Sequence, residues 1–227
     1  LLLASCCIDR YIRLYEASGV MDVSVWTLSA ELDTLSARSF ERAGEREQVP
    51  QAISWSDNAL EGELLAVGMA DGTVDIYAAS EQRGWSRTLT VDRPQQPDVP
   101  RPLSAHSDCV NDVAFAPDVG RSYTLLASAS RDRTVRLWAL EPSSAESNTK
   151  LVRLACELPQ PSQVWRVEWN PAGTMLAVST DDGQVLVYEP DGSGGWRRKL
   201  TTTGADPTHV SRHSYSQVDG GMKAIPA

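Results

Sequence analysis

Four stretches of this chain align with one another without a gap, and that self-similarity restricts the fold more than any other feature. They are LASCCIDRYIRLY from Leu3, LAVGMADGTVDIY from Leu65, LASASRDRTVRLW from Leu126 and LAVSTDDGQVLVY from Leu176. In each, Leu-Ala opens a short apolar strand and an Asp follows six residues after that Leu. The aligned acids are Asp9, Asp71, Asp132 and Asp182, and the aligned closing aromatics are Tyr15, Tyr77, Trp138 and Tyr188. Alternating residues on both sides of a turn read as a β-hairpin. Asp-Gly at 71–72 and 182–183 strengthens that reading, because such hairpin turns need positive φ.

Three copies carry a further strand upstream, at 52–55, 113–117 and 167–171. A more polar strand follows each hairpin, at 25–32, 85–91, 151–157 and 196–202. Four antiparallel strands make one blade of a β-propeller. The expected fold is therefore all-β and a partial propeller. Half a blade occupies 1–32, and three four-stranded blades occupy 49–91, 106–158 and 164–203. Polar loops at about 33–49, 92–105 and 141–150 belong on the surface. Residues 204–227 show no periodicity and read as a disordered tail.

Composition narrows the functions such a fold can serve. The 227 residues are 41% hydrophobic and 22% charged, which suits a globular domain. A net charge of −9 argues against direct nucleic-acid binding, which depends on Lys and Arg facing phosphates. Arg197, Arg198 and Lys199 form the one dense basic group, and beside a turn they read as a solvated hairpin edge. Cys6 and Cys7 are neighbours, Cys109 and Cys156 are isolated, and no Cys/His spacing suits a metal. That usage fits the reducing cell interior. The run from Leu1 to Cys6 superficially matches a lipoprotein signal, but it is too short to span a membrane and no basic stretch precedes it. The absent initiator Met instead predicts a chain that begins inside a longer protein, of which this is the C-terminal part.

The third copy carries chemistry of its own: His106, a Ser at 128 or 130, Asp132 and Trp138. The copies are similar to WD repeats, in which residues at these places form a buried hydrogen-bonded chain. The resemblance implies that chain for His106, Ser130, Asp132 and Trp138. Burying a carboxylate and an imidazole is tolerable only when each has partners. The rival reading, a catalytic Ser/His/Asp set, lacks the strained elbow a nucleophile needs. Asp191-Gly192-Ser193-Gly194-Gly195 is similar to the string around a serine-protease nucleophile, yet it links two strands and reads as a flexible loop. No Gly-rich stretch opens a helix to cradle a nucleotide, so no cofactor is expected. Trp26, Trp55, Trp85, Trp165, Trp169 and Trp196 fall on expected strands and read mostly as core between blades. Trp85 and Trp196 open fourth strands and are the candidates for partner contact.

Particular stretches resemble one family of WD-repeat nucleoporins, the SEC-thirteen-homologue (Seh) type. They are 7–17 followed by Val20-Met21-Asp22-Val23-Ser24-Val25-Trp26-Thr27-Leu28, 110–117 with 120–123, and Gln163-Val164-Trp165-Arg166-Val167-Glu168-Trp169-Asn170. The paralogous SEC-thirteen subunit of a vesicle coat shares the last of these but lacks the Trp26 insert. The resemblance implies an open six-bladed propeller, completed in trans when an α-solenoid scaffold nucleoporin donates a blade. It implies a structural role in the outer-ring Y-complex of the nuclear pore beside other Y-complex subunits, at the nuclear envelope. It also implies a place in an amino-acid-signalling complex at the lysosomal or vacuolar membrane. Two other functions remain: a vesicle-coat subunit, and a peptide-binding WD adaptor such as a ubiquitin-ligase substrate receptor. With sheet faces left uncovered, the chain alone is expected to aggregate or fold only marginally.

Overall fold

In a computed structural model, residues 1–19, 23–34, 49–56, 63–80, 84–91, 106–117, 120–141 and 151–203 are described. They contain fifteen strands and no helix. The first sheet joins β1 (Leu2–Cys6), β2 (Tyr11–Ala17) and β3 (Trp26–Asp33). The second joins β4 (Pro50–Ser56), β5 (Leu64–Met69), β6 (Val74–Ser80) and β7 (Gly84–Val91). The third joins β8 (Val110–Phe115), β9 (Thr124–Ser130), β10 (Thr134–Glu141) and β11 (Leu151–Pro159). The fourth joins β12 (Val164–Trp169), β13 (Leu176–Thr180), β14 (Gln184–Pro190) and β15 (Trp196–Thr203). Every sheet is antiparallel and pairs its strands in chain order. These are one three-stranded and three four-stranded blades, and the first lacks the upstream strand that its sequence copy also lacks. The long polar loops and the tail after 203 fall almost wholly outside the described residues.

Alternation decides which side of a blade each residue covers, because successive side chains point to opposite faces. Leu65, Val67, Met69 and Tyr77 face back onto Ile12, Leu14, Ala4 and Cys6 of the first blade. Leu64, Ala66, Val74 and Ile76 face forward onto Val113, Phe115, Leu126, Trp138 and Leu140. Ala127, Ala129, Val135 and Leu137 meet Val164, Val167, Leu176, Val178, Leu186 and Tyr188 of the fourth. Each aligned Leu thus looks to the preceding blade, and the Ala beside it looks to the next. A central blade buries both faces, which is why β5 and β9 are buried throughout.

Two register shifts recur. Each outer pair of strands slips one residue just before the closing aromatic, at Leu14/Tyr15, Ile76/Tyr77, Leu137/Trp138 and Val187/Tyr188. The innermost strand of each four-stranded blade carries a second bulge, at Pro50/Ala52, Val110/Asp112 and Val164/Arg166. A bulge inserts an unpaired residue, bends the strand and increases its twist. The inner bulges re-aim Gln51, Asn111 and Trp165 to line a cleft of about 380 Å³, together with Cys6 and Arg166. That is why Trp165 departs from the expected core placement and stands 47% exposed, its indole donating to Asp181 at 2.8 Å. Trp169 is buried, whereas Trp26 and Trp55 are half-buried.

Seams between blades differ in their polar content. Between the third and fourth, Asn111 donates to the Val164 carbonyl at 2.7 Å, and Val167 N–H donates to Asp112 at 3.0 Å. Trp169 donates to the Ala114 carbonyl and Arg121 to the Gly173 carbonyl, each at 3.0 Å. Between the second and third, Phe115 N–H donates to Ser54 Oγ at 3.1 Å and His106 N–H to the Gly72 carbonyl at 3.0 Å.

Candidate functional site: a buried network and two outward sheet faces

The four aligned Asp residues share one local task. A carboxylate can accept a hydrogen bond from the backbone N–H two residues on, closing a turn. Asp9 accepts from Tyr11 N–H at 3.1 Å, Asp71 from Thr73 at 3.0 Å, Asp132 from Thr134 at 3.0 Å and Asp182 from Gln184 at 3.4 Å. The residue between them takes positive φ in every blade: Arg10 at 73°, Gly72 at 91°, Arg133 at 66° and Gly183 at 77°.

The third blade extends its Asp into a buried network that includes a ring. His106 Nδ1 lies 2.9 Å from Asp132 Oδ2, and Nε2 lies 2.7 Å from Ser128 Oγ. Trp138 donates to the same Ser128 Oγ at 2.9 Å. Thr134 Oγ donates to Asp132 at 2.7 Å, and Ser107 N–H donates to it at 3.0 Å. The serine that joins imidazole to indole is therefore Ser128, not Ser130. Ser130 faces the same side but ends its strand, and its hydroxyl reaches the carbonyls of Asp108 and Cys109 and accepts from Asp132 N–H.

Burial, the largest influence on His106, pushes its pKa below the ordinary value despite the pull of Asp132. A neutral ring fixes the direction of the chain: Trp138 donates to Ser128, Ser128 to Nε2, and Nδ1–H to Asp132. Burial pushes the Asp132 carboxyl up, but bonds from His106, Thr134 and Ser107 outweigh it and hold the pKa well below the carboxylate range. Trp138 and Ser128 are fully buried and His106 is 1% exposed. With its serine enclosed between a ring and an indole, the set has no face for a substrate and acts as a brace.

Both shifts carry the same sign for stability. Native His106 stays neutral, so below about pH 6.5 the unfolded chain binds the extra proton and the fold is weakened. Native Asp132 stays ionised, so a second loss begins below about pH 4. As the pH falls through about 6.5 the wild-type chain should therefore lose stability from His106. His106→Gln should flatten that pH dependence in denaturant titrations; an unchanged slope would show that the ring is protonated in the fold.

Sequence reasoning missed the counterpart in the fourth blade. Gln160 stands four residues ahead of Val164 as His106 stands four ahead of Val110. Its amide donates to Tyr188 Oη at 3.0 Å, and Tyr188 Oη donates back to the Gln160 carbonyl oxygen at 3.1 Å. The amide spans directly what His and Ser span in the third blade. Spacing from the next strand carries the signal, and Gln in the place of His hides it.

The structure holds Trp85 and Trp196 half-buried. Trp85 packs edge-on against Trp55 at 5.3 Å, and Trp196 against Trp169 at 5.4 Å. Both rings thus knit the first and fourth strands of their own blade. The 191–195 segment is a closed turn rather than a flexible loop: Asp191 accepts from Ser193 N–H, Ser193 Oγ and Gly195 N–H at 2.8–3.0 Å. Among the described residues no group of three or more His, Cys, Asp or Glu could hold a metal. No helix among them is long and apolar enough to cross a membrane.

What is presented outward is apolar sheet. On the first blade, Leu3 and Leu28 are 49% and 54% exposed beside Tyr15, at places that the second blade covers with Leu65 and Tyr77. On the fourth, Ala177, Ser179, Val185 and Val187 are half-buried and Leu200 is exposed, at places that the third blade buries as Ala127 and Ala129.

Comparison with known proteins agrees with this architecture. The profile of the WD domain, G-beta repeat, matches residues 98–139 and 153–189. Nucleoporin SEH1-A of Xenopus laevis is 34% identical over 213 residues, covering 87% of this chain and 52% of the relative. Nucleoporin SEH1 of Homo sapiens is 32% identical over the same length and coverage. Nucleoporin SEH1 of Danio rerio is 33% identical over 211 residues, with 87% and 51% covered. The chain spans about half the length of the curated relatives it matches. Repeat, blades and relatives converge on a WD-repeat propeller similar to the SEH1 nucleoporins.

Proposed function

We propose that the protein serves as a structural scaffold subunit of the nuclear pore outer-ring coat, where an α-solenoid nucleoporin completes the propeller by donating a blade in trans. The carrying observation is the outward face of the fourth blade, which repeats the composition of a face that a neighbouring blade buries. Covering such a face removes apolar area from water at about 25 cal/mol per Å². A donated blade has the shape to do so. The relatives' name, nucleoporin, supports the location, and the enclosed His106 network supports a holding role over a chemical one. The same surface suits the complex at the lysosomal or vacuolar membrane that the family resemblance implies.

The full-length protein and its α-solenoid nucleoporin, co-expressed, should co-elute in a single peak. Val185→Asp with Val187→Asp should abolish co-elution. Separate elution of a stable monomer would overturn the trans-blade reading.

A further inference from the structure

The basic triplet Arg197, Arg198 and Lys199 is not absorbed by the propeller reading, and it sits on β15, the outermost strand of the last blade. An outermost strand leaves one row of its backbone N–H and C=O groups unpaired by the sheet. After Leu200 come three threonines, Thr201, Thr202 and Thr203, on the last residues of that strand. The register separates them. Thr201 pairs with Leu186 and shares its core-directed side, whereas Thr202 pairs with Val185 on the outward face. Thr201 is half-buried, and Thr202 is exposed. Arg197 and Lys199 lie on the outward side with Thr202, where both reach Glu189 at 2.9 and 2.7 Å. Their side chains are 66% and 52% exposed, so such pairs are weak and yield readily to another anion.

We propose that Thr202 is a phosphoacceptor for a kinase that reads basic residues three and five positions before its target, here Lys199 and Arg197. The edge strand offers an extended segment with a free backbone row, and charge patterning of this kind selects kinase substrates. The γ-phosphoryl group of ATP passes to Thr202 Oγ, the P–O bond to ADP breaks, and the hydroxyl proton leaves to the kinase base. The product carries about two negative charges beside Leu200, Val187 and Val185. Charge placed in an apolar interface disrupts it through desolvation cost. Phosphorylation of the unpartnered protein therefore blocks docking on the fourth blade; this second step rests on the partner-binding reading above, whereas the acceptor assignment does not.

Incubation of the full-length protein with ATP and a kinase of the protein kinase B class, followed by peptide mass spectrometry, tests the acceptor. Phosphate is expected at Thr202, absent in Thr202→Val and at least tenfold lower in Arg197→Ala with Lys199→Ala. Incorporation at Thr201 or Thr203 instead, no incorporation, or incorporation indifferent to the basic pair would overturn it. For the second step, Thr202→Glu should lower recovery of the α-solenoid nucleoporin at least tenfold while Thr202→Val retains it. Equal recovery by both would overturn the block. Failure of the wild-type protein to bind the partner would instead count against the trans-blade reading and leave the phosphate result standing.

Discussion

Replacing Trp138 by Ala should cost about 3–5 kcal/mol of folding free energy, more than any other single truncation among the described residues. Trp138 is the largest fully buried side chain, and it sits in the seam between the second and third blades. Its loss leaves a cavity against Leu126, Phe115 and Ile76, and interiors this dense do not collapse to fill it. It also removes the donor to Ser128. Trp138→Phe keeps most of the volume and loses only that bond, so it should cost about 1–2 kcal/mol. Denaturant unfolding of the three proteins measures both steps. If Phe proved as damaging as Ala, the hydrogen bond would outweigh the packing, contrary to this account.

Gly72→Ala should be nearly as severe, about 2–4 kcal/mol, although it adds one methyl group. The position has φ of +91°, where an L side chain is disfavoured, but strain alone does not set the scale. Arg10 and Arg133 occupy the equivalent place in their own turns. At Gly72 an added Cβ would collide with the backbone carbonyl oxygen of His106 and come within 2.9 Å of that of Asp108. Those carbonyls belong to the segment that delivers His106 to Asp132. The same methyl at Gly183, with φ of +77°, meets nothing within 4 Å. Gly183→Ala should therefore cost only about 1–2 kcal/mol. Equal losses at the two glycines would mean that conformation, not the close approach, is decisive.

Much of the architecture was legible because it rests on period-two patterning and on turn chemistry contained within a few residues. The aligned Leu, Ala, Asp and aromatic positions located the hairpins, and the register pairs those hairpins within each blade as the pattern implied. Bulges were not legible. A single skipped residue leaves no gap in a repeat alignment, yet it turned Trp165 outward and shifted the strand that carries Arg198. The choice between Ser128 and Ser130 was equally hidden, since alternation puts both on one face and only proximity to Trp138 distinguishes them. Gly72 could be read as a turn residue, but its second role depends on a backbone 34 positions away in chain.

The four turn carboxylates have a consequence beyond stability. Each closes its turn with donors no more than two residues ahead, so a duplicated blade inherits its own hairpin intact. The long-range members, His106, Ser128 and Trp138, are held by contacts that drift can erase in one copy or rebuild with Gln160 and Tyr188 in another. Such a module tolerates divergence between sister copies, and a lineage can then respecialise one blade's rim without unmaking the others.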